Sequence, residues 1–537
     1  MLRSRKIALV GALLVPVVAG GFLMQSRGQR EGAQLLDQVM SLVSDRYVDT
    51  LPTNDVFEKA ARGLVRELND PYSELLTPKD LKQFNSRTGG RYGGLGMLIE
   101  EDPQTHLITV AQVYPNTPAE AGGVREGDRI IKVGTQPTQG WTITNVSDSL
   151  TGIVGTKVNV TFSRPGVALP INANFTRAEI HIPAVPYTLS LGNKIGYIPL
   201  QVFNENAAEN VAAAIKQFQA QGARGIILDL RGDGGGILTQ SLEIANMFLA
   251  QGSQIATTKY REAPPSVELA KMTPIAPSIQ LIVMTDERTA SASEIVTGAL
   301  QDHDRALVVG QTSFGKGLVQ GVYNLDGGYA LKLTTGKWFT PSGRTIQRPR
   351  KFVNGQFVET PPDTNETNAT KKSRPTYKSD GGRVVYGGGG ITPDVIVQDD
   401  TLSTAEQAFT KAVAPKGQDF LTVLTDYSME LAKTSTPAFT VQPAWLNEFY
   451  TRLQARNVPV DRKQFDAASR YVSRLLEQRV AHYVAGDSTA KRRDLPYDAP
   501  LRKALDLMDK STSQRDLFTM AGETLTSNTH STAPKKP

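Results

Sequence analysis

Two serines and a lysine carry the chemistry in this chain. Ser291 and Ser293 stand in Thr289-Ala290-Ser291-Ala292-Ser293-Glu294, and Lys316 follows in Gly315-Lys316-Gly317-Leu318-Val319-Gln320. Before the serines, the apolar run Ile279–Met284 ends in the polar turn Thr285–Arg288. After them comes an amphipathic stretch with Ile295, Val296, Ala299 and Leu300. That order reads as buried strand, tight turn and helix start. A serine at a helix start lies beside unpaired N–H groups and the positive end of the helix dipole, where an oxyanion is stabilised. Lysine is the other half of a way to activate serine. An amine at its free pKa is charged and accepts no proton, but burial disfavours the ammonium and lowers that pKa. A neutral lysine would take the serine proton and return it to a leaving amine. The product is an acyl-enzyme that water hydrolyses, with no metal or cofactor required.

A second chemistry competes for the same stretch. Gly310-Gln311-Thr312-Ser313-Phe314-Gly315-Lys316-Gly317 follows the apolar run Ala306–Val309 and nearly matches a phosphate-binding loop. Gly317 stands where Ser or Thr should hold magnesium. Leu318–Leu333 alternates like strands and offers no helix N-terminus for the phosphates.

Taken together, these blocks resemble the C-terminal processing peptidases, or tail-specific proteases, a family of serine–lysine peptidases with a PDZ domain. That family carries Ser-Ala-Ser-Ala-Ser-Glu, and only its leading Ser is changed here, to Thr289. Its Phe-Gly-Lys-Gly-x-Val-Gln block stands unaltered at Phe314–Gln320. The resemblance implies Ser291 as nucleophile, Lys316 as base and Gln320 as the residue that orients the lysine. Four apart, Lys316 and Gln320 would share a face if both lay on a strand. The block Asp229-Leu230-Arg231-Gly232-Asp233-Gly234-Gly235-Gly236 resembles the family's oxyanion-hole turn, where asparagine is usual at the position of Asp233. The donor role is carried to the N–H of Gly235, with that of Ala292 as partner. The fold implied is mixed α/β: a ClpP/crotonase-like core, an inserted PDZ domain and flanking helical segments. The activity implied is endopeptidase cleavage of proteins near their C-termini. Two rivals are a PDZ scaffold on an inactive protease-like core, against which the intact Ser291, Lys316 and Gln320 argue, and an acyl-CoA enzyme, which would need neither a PDZ domain nor a serine–lysine pair.

These residues need elements to hold them, and the chain supplies candidates in order. Arg3, Arg5 and Lys6 precede the uncharged run Ile7–Met24. This reads as a signal anchor over 1–26, with the remainder outside the cytoplasm, in the cell envelope on the periplasmic side. Region 31–87 carries two helices, Glu31–Tyr47 and Asn54–Leu68, with apolar stripes at Leu35, Leu36, Val39, Leu42 and Val43 and at Phe57, Ala61, Leu64 and Leu68. In the family such helices often pair subunits. Region 88–170 reads as a PDZ domain through Gly127-Asp128-Arg129-Ile130-Ile131-Lys132-Val133. Its loop Gly94-Leu95-Gly96-Met97 would bind the carboxylate of a substrate's free C-terminus. The family usually has Arg where Thr151 stands. Alternating strands and helices over 171–400 imply a parallel or mixed sheet covered on both faces. Within it, the polar stretch 354–380 reads as a flexible insertion. Helical patterns over 401–510 form an appended domain, and 511–537 reads as a disordered tail.

Composition narrows the partners. A chain of 537 residues suffices for several domains. The net charge of +6 is small for that length, and no aromatic-interleaved basic stripe points to nucleic acid. With no cysteine, disulfides, thiolate metal sites and a cysteine nucleophile are excluded. The five histidines form no metal-binding pair at helical spacing. Peptide substrates with free C-termini are the expected partners, with an adaptor protein left open.

Overall fold

The structure, a computed structural model, describes residues 31–101, 107–164, 167–353, 356–360, 366–367 and 369–522. The chain divides into two compact units, one comprising 1–81, 320–335 and 352–357, the other 82–319, 336–351 and 358–537.

The architecture of the second unit is mixed α/β. Its centre is a six-stranded sheet in the order Leu189–Leu191, Ile195–Pro199, Gly225–Asp229, Gln280–Thr285, Leu307–Gly310, Val395–Ile396. The first pair is antiparallel and all the others are parallel. The inner strands are buried along their whole length, which explains their unbroken apolar runs. Helices Ala207–Ala220, Leu238–Asn246 and Ala292–Asp302 cover one face, with Val211, Ile215, Phe218, Ile244, Val296 and Leu300 packed on Ile198, Leu228, Leu281 and Val283. The other face is covered from the far end of the chain. Leu501, Ala504, Leu507, Met508, Leu517 and Phe518 pack on Tyr197, Ile227, Ile282, Met284, Leu307 and Val309.

This last layer corrects two expectations. The helices Ala499–Lys510 and Gln514–Met520 belong to the core around the central sheet, not to an appended domain or a disordered tail. A sparsely apolar segment still folds when its few apolar residues, here Leu517 and Phe518, are wholly buried. The appended domain proper is a bundle of Thr404–Val413, Gly417–Ala432, Pro443–Ala455, Arg462–Ala467 and Ser469–Asp494 around Phe409, Phe449, Phe465 and Leu476.

The PDZ-like body is a six-stranded antiparallel sheet, Met97–Glu101, Ile108–Val113, Arg129–Val133, Lys157–Ser163 and Ile171–Thr176 in order with the short Gln136–Pro137 paired to Arg129–Val133, and helices Pro118–Ala121 and Ile143–Leu150. Its last strand lies beyond the boundary expected at residue 170. Arg91–Gly94 pairs antiparallel with Ala178–His181, so the chain enters and leaves this body side by side, as an insertion must.

Within the stretch 354–380, several described residues carry regular structure or buried pairs. Thr376–Lys378 pairs with Val384–Tyr386. Glu366 is buried against Arg374, and the Lys371 ammonium donates to the Pro393 and Asp394 carbonyls. Glu366 and Lys371 are thus folded in with polar partners, which composition alone does not reveal.

In the first unit, helices 31–46 and Thr53–Arg66 precede a short strand, Glu74–Leu76. That strand pairs with Ala330–Lys332 at the start of the strand Ala330–Phe339. Among the described residues no helix is long and apolar enough to cross a membrane, and the run Ile7–Met24 lies outside them.

Candidate active site

The parallel strands of the central sheet deliver two turns to one end. Asp229 ends its strand and opens the turn 231–236, while Thr285 ends the next strand and leads to Ser291. Crevices at the C-terminal ends of parallel strands are where α/β sheets bind ligands.

Ser291 caps the N-terminus of helix Ala292–Asp302 with φ 57° and ψ −113°. A non-glycine residue with positive φ costs on the order of 1–3 kcal/mol and persists only where its surroundings hold it. Three bonds do so. The Ser291 N–H donates to Glu294 Oε2 at 2.8 Å, the Ala290 N–H to the Asp233 carbonyl at 2.9 Å, and the Phe314 N–H to the Thr289 carbonyl at 2.8 Å. The Ala292 N–H, in the first turn of the helix, has no partner among the described residues, as expected of a helix start.

Glu294 is the residue whose role the sequence did not reveal. It is fully buried, and its carboxylate gathers four donors from two distant segments. Oε1 accepts from the Ser313 hydroxyl at 2.5 Å and the Gly315 N–H at 2.6 Å. Oε2 accepts from the Ser291 N–H at 2.8 Å and the Lys316 N–H at 2.9 Å. One oxygen therefore ties the main chain of Ser291 to that of Lys316. Burial pushes the Glu294 carboxyl above its ordinary range, and the Ser313 hydroxyl and the three N–H donors pull it back in part.

Lys316 lies two residues ahead of the strand Leu318–Asn324. The expected strand geometry, with Lys316 and Gln320 on one face, thus does not reach the lysine. The reason is that the Gly315 and Lys316 N–H groups are taken by Glu294 and the Gly317 N–H by Gln347, leaving none for a ladder. The Lys316 carbonyl accepts from the Trp338 indole at 3.1 Å. Gln320 is on the strand, half-buried, its amide 3.5 Å from the Thr334 hydroxyl.

Gly235 is packed directly against the serine. A Cβ on Gly235 would come within 2.6 Å of the Ala290 carbonyl oxygen, 2.8 Å of the Ala292 nitrogen and 2.9 Å of Ser291 Cβ, and the residue has φ +90°. Only glycine fits there. Its N–H, however, donates to Asp233 Oδ1 at 2.8 Å, so in this state it is not the free donor expected. The turn is fixed from below by Arg231, which pairs with Asp229 at 2.7 Å and with Asp498 at 2.8 Å. Burial alone would raise the Asp498 carboxyl, but Arg231 and Lys491 hold it well below the usual range. Asp498 comes from just ahead of the C-terminal helices, a partner no local pattern could suggest.

His303 caps the opposite end of the serine's helix, an 11-residue helix about 16 Å long. It is bonded to Asp380 at 2.6 Å and to the Gln254 carbonyl at 2.6 Å, far from Ser291.

The loop Gly94–Met97 bridges the strand Arg91–Gly94 and the first strand of the PDZ-like sheet. Its carbonyls are used inwardly: Leu95 accepts from Ala119 at 2.8 Å and Gly96 from Tyr114 at 2.9 Å. The Tyr92 ring lies against Gly94, where a Cβ would meet it at 2.4 Å. Among the described residues no three His, Asp or Glu side chains gather as a metal site would.

Comparison with known proteins gives the family of the chain. Residues 194–354 match peptidase family S41, and residues 109–164 match a PDZ domain. The carboxy-terminal-processing protease of Bartonella bacilliformis is 35% identical over 313 residues, 58% of this chain and 71% of that protein. The carboxy-terminal processing protease CtpA of Bacillus subtilis is 30% identical over 328 residues, 61% of this chain and 69% of that one. Among solved structures, a photosystem II D1 C-terminal processing protease is 28% identical with a TM-score of 0.35, covering 60% of this chain and 84% of its own.

Proposed function

The chain belongs to the carboxy-terminal processing proteases of peptidase family S41 and is a serine-type peptidase, and from that premise we propose a serine–lysine endopeptidase that selects proteins by their C-termini. Ser291 attacks the scissile carbonyl, and Lys316, neutral when desolvated, accepts the serine proton and passes it to the leaving amine. Gln320 orients the lysine as an uncharged partner. The N–H groups of Ala292 and Gly235 receive the oxyanion at the helix N-terminus.

The observation that carries this reading is the shared Glu294 oxygen. A buried carboxylate accepting both main-chain N–H groups fixes the nucleophile's and the base's backbones on one atom, before substrate arrives. The test is a set of variants, each with a thermal melt. Ser291→Ala and Lys316→Arg should melt like the parent and lose peptidase activity by about 10⁴-fold or more, the arginine because a guanidinium stays charged. A well-folded, active Lys316→Arg enzyme would rule the dyad out.

The PDZ domain supplies selectivity: the glycine-flanked loop Gly94–Met97 binds the terminal carboxylate of a substrate and favours apolar terminal side chains. Amidating a substrate's C-terminus should slow its cleavage, and equal rates for free and amidated forms would refute the role. Ile7–Met24 holds the enzyme at a membrane with the folded part in the cell envelope. Sequencing the mature N-terminus checks it, since a start beyond residue 24 means a released enzyme. The N-terminal helices pair two copies of the chain through their apolar stripes.

A further inference from the structure

Asp233 lies in the turn that faces the nucleophile, and three features set it apart. It is fully buried. Its Oδ1 accepts the Gly235 N–H at 2.8 Å, and its Oδ2 has no hydrogen-bond partner. No cation pairs with it among the described residues. The charged group near it is Asp286, which accepts the Gly232 N–H and is itself bonded to Arg288 at 2.9 Å. Helix Ala292–Asp302 presents only the neutral Ser293 hydroxyl, which donates to the Asp233 main-chain carbonyl at 3.1 Å. An unpaired carboxylate in such a place is costly, whereas a neutral carboxylic acid is tolerated.

We propose that Asp233 gates the Gly235 donor: as a carboxylate it keeps that N–H for itself, and in its protonated form it releases the N–H to the oxyanion forming at Ser291. The proposal rests on Ser291 being the nucleophile. Its physical basis is the difference between acceptors. A hydrogen bond to a carboxylate is roughly twice as strong as one to a neutral carbonyl oxygen, so turning the Gly235 N–H towards substrate costs less once the acid is neutral. A carboxylate beside the site would also repel the developing oxyanion, and the neutral acid would not. Asp233 is thus a positioning residue that acts through Gly235. Burial, with a smaller contribution from Asp286, outweighs the stabilising Gly235 N–H and the nearby Ser293 hydroxyl and pushes its carboxyl up to about 8, so the gate closes as pH rises through that range.

The test compares parent and Asp233→Asn, an uncharged near-isostere, in the rate of Ser291 phosphonylation by a fluorophosphonate probe and in kcat/KM for a peptide, from pH 6 to 10. In the parent both rates should fall above about pH 8. In Asp233→Asn the falling limb should vanish, so that the variant-to-parent ratio grows by about tenfold or more between pH 7 and pH 9.5, as one ionisation requires. A merely structural role would scale the rate uniformly. Parallel profiles, or a pH-independent loss, overturn the gate. If the melt shows Asp233→Asn to be misfolded, Asp233→Ser removes the charge in a smaller side chain and must meet the same criterion. Ser291→Ala separates the two readings. If it is inert while the profiles stay parallel, only the gate fails. If it is labelled and active, the nucleophile assignment falls and takes the gate with it.

Discussion

At the scale of single residues, buried carboxylates do most of the positioning. Glu294 accepts four donors, and an amide can offer only one oxygen in place of two. Glu294→Gln should therefore turn an N–H₂ group towards donors and loosen both Ser291 and Lys316. A loss of about 10²-fold in kcat is expected, as for small misplacements of reacting groups, with a lowered melting temperature. Unchanged kcat would show that the dyad is held by other means. Asp233 makes the opposite prediction for stability. Its folded-state pKa, about 8, lies above the ordinary 3.8, so the native state binds a proton that the unfolded state releases. Stability then falls as pH rises from about 4 to about 8 and is flat beyond. Asp233→Asn removes that penalty and should melt above the parent at pH 8 but close to it at pH 4. A melting difference that does not vary with pH would contradict the neutral acid.

Among elements, the contact between the PDZ-like body and the helix Ser469–Asp494 carries a titratable clasp. His482 is bonded through Nδ1 to Asp487 at 2.7 Å and through Nε2 to Glu126 at 2.6 Å, and Gln112 donates to the same Asp487 at 3.2 Å. The helix breaks at Ala485 and at Gly486, whose φ is 76°, which lets Asp487 fold back towards the histidine. Asp487, then Glu126, raise the imidazole pKa to about 9. The contribution of this cation is complete below the ordinary histidine value near 6.5 and is lost as pH rises through about 9. Hydrogen exchange in the segment Gly123–Asp128 should therefore accelerate between pH 7 and pH 9.5, after correction for intrinsic rates. His482→Ala should show the faster exchange already at pH 7. Exchange that matches the parent in His482→Ala would mean the clasp contributes nothing to docking.

On the scale of the whole molecule, the central sheet takes one of its covering layers from the far C-terminal part of the chain. Phe518, fully buried under the central sheet, should cost about 3–5 kcal/mol when cut to alanine, read as a drop in denaturant midpoint. Such a loss from the last described helix would confirm that the sheet needs its C-terminal cover, and a loss below about 1 kcal/mol would refute it. At the other end, Leu35 and Leu64 are 63% and 68% exposed, together with Leu36, Val39, Leu42, Phe57 and Leu68. Apolar stripes of this extent are more than scattered surface leucines, and they motivate the pairing of two chains. Leu35→Glu combined with Leu42→Glu should convert a sedimenting dimer to monomer. If the parent is itself monomeric at micromolar concentration, the pairing is wrong.

The sequence alone determined what is written in short range. The buried strands appear as apolar runs such as Ile226–Leu228 and Leu281–Met284, and the serine's helix as a 3.6-residue pattern directly after a turn. The separation of His303 from Ser291 follows from helical rise along the 11-residue helix between them. Tertiary structure decided the rest, because a buried polar group takes its partners from whatever segments the topology brings to it. Glu294 draws donors from residues 313–316, Arg231 is held by Asp498 some 267 positions away, and the Gly235 N–H goes to Asp233 and not to open space. The C-terminal helices read as tail or appendage because their few apolar residues count only once a sheet face lies beneath them. Periodicity records which side of an element is buried, while the identity of what buries it is set by chain topology.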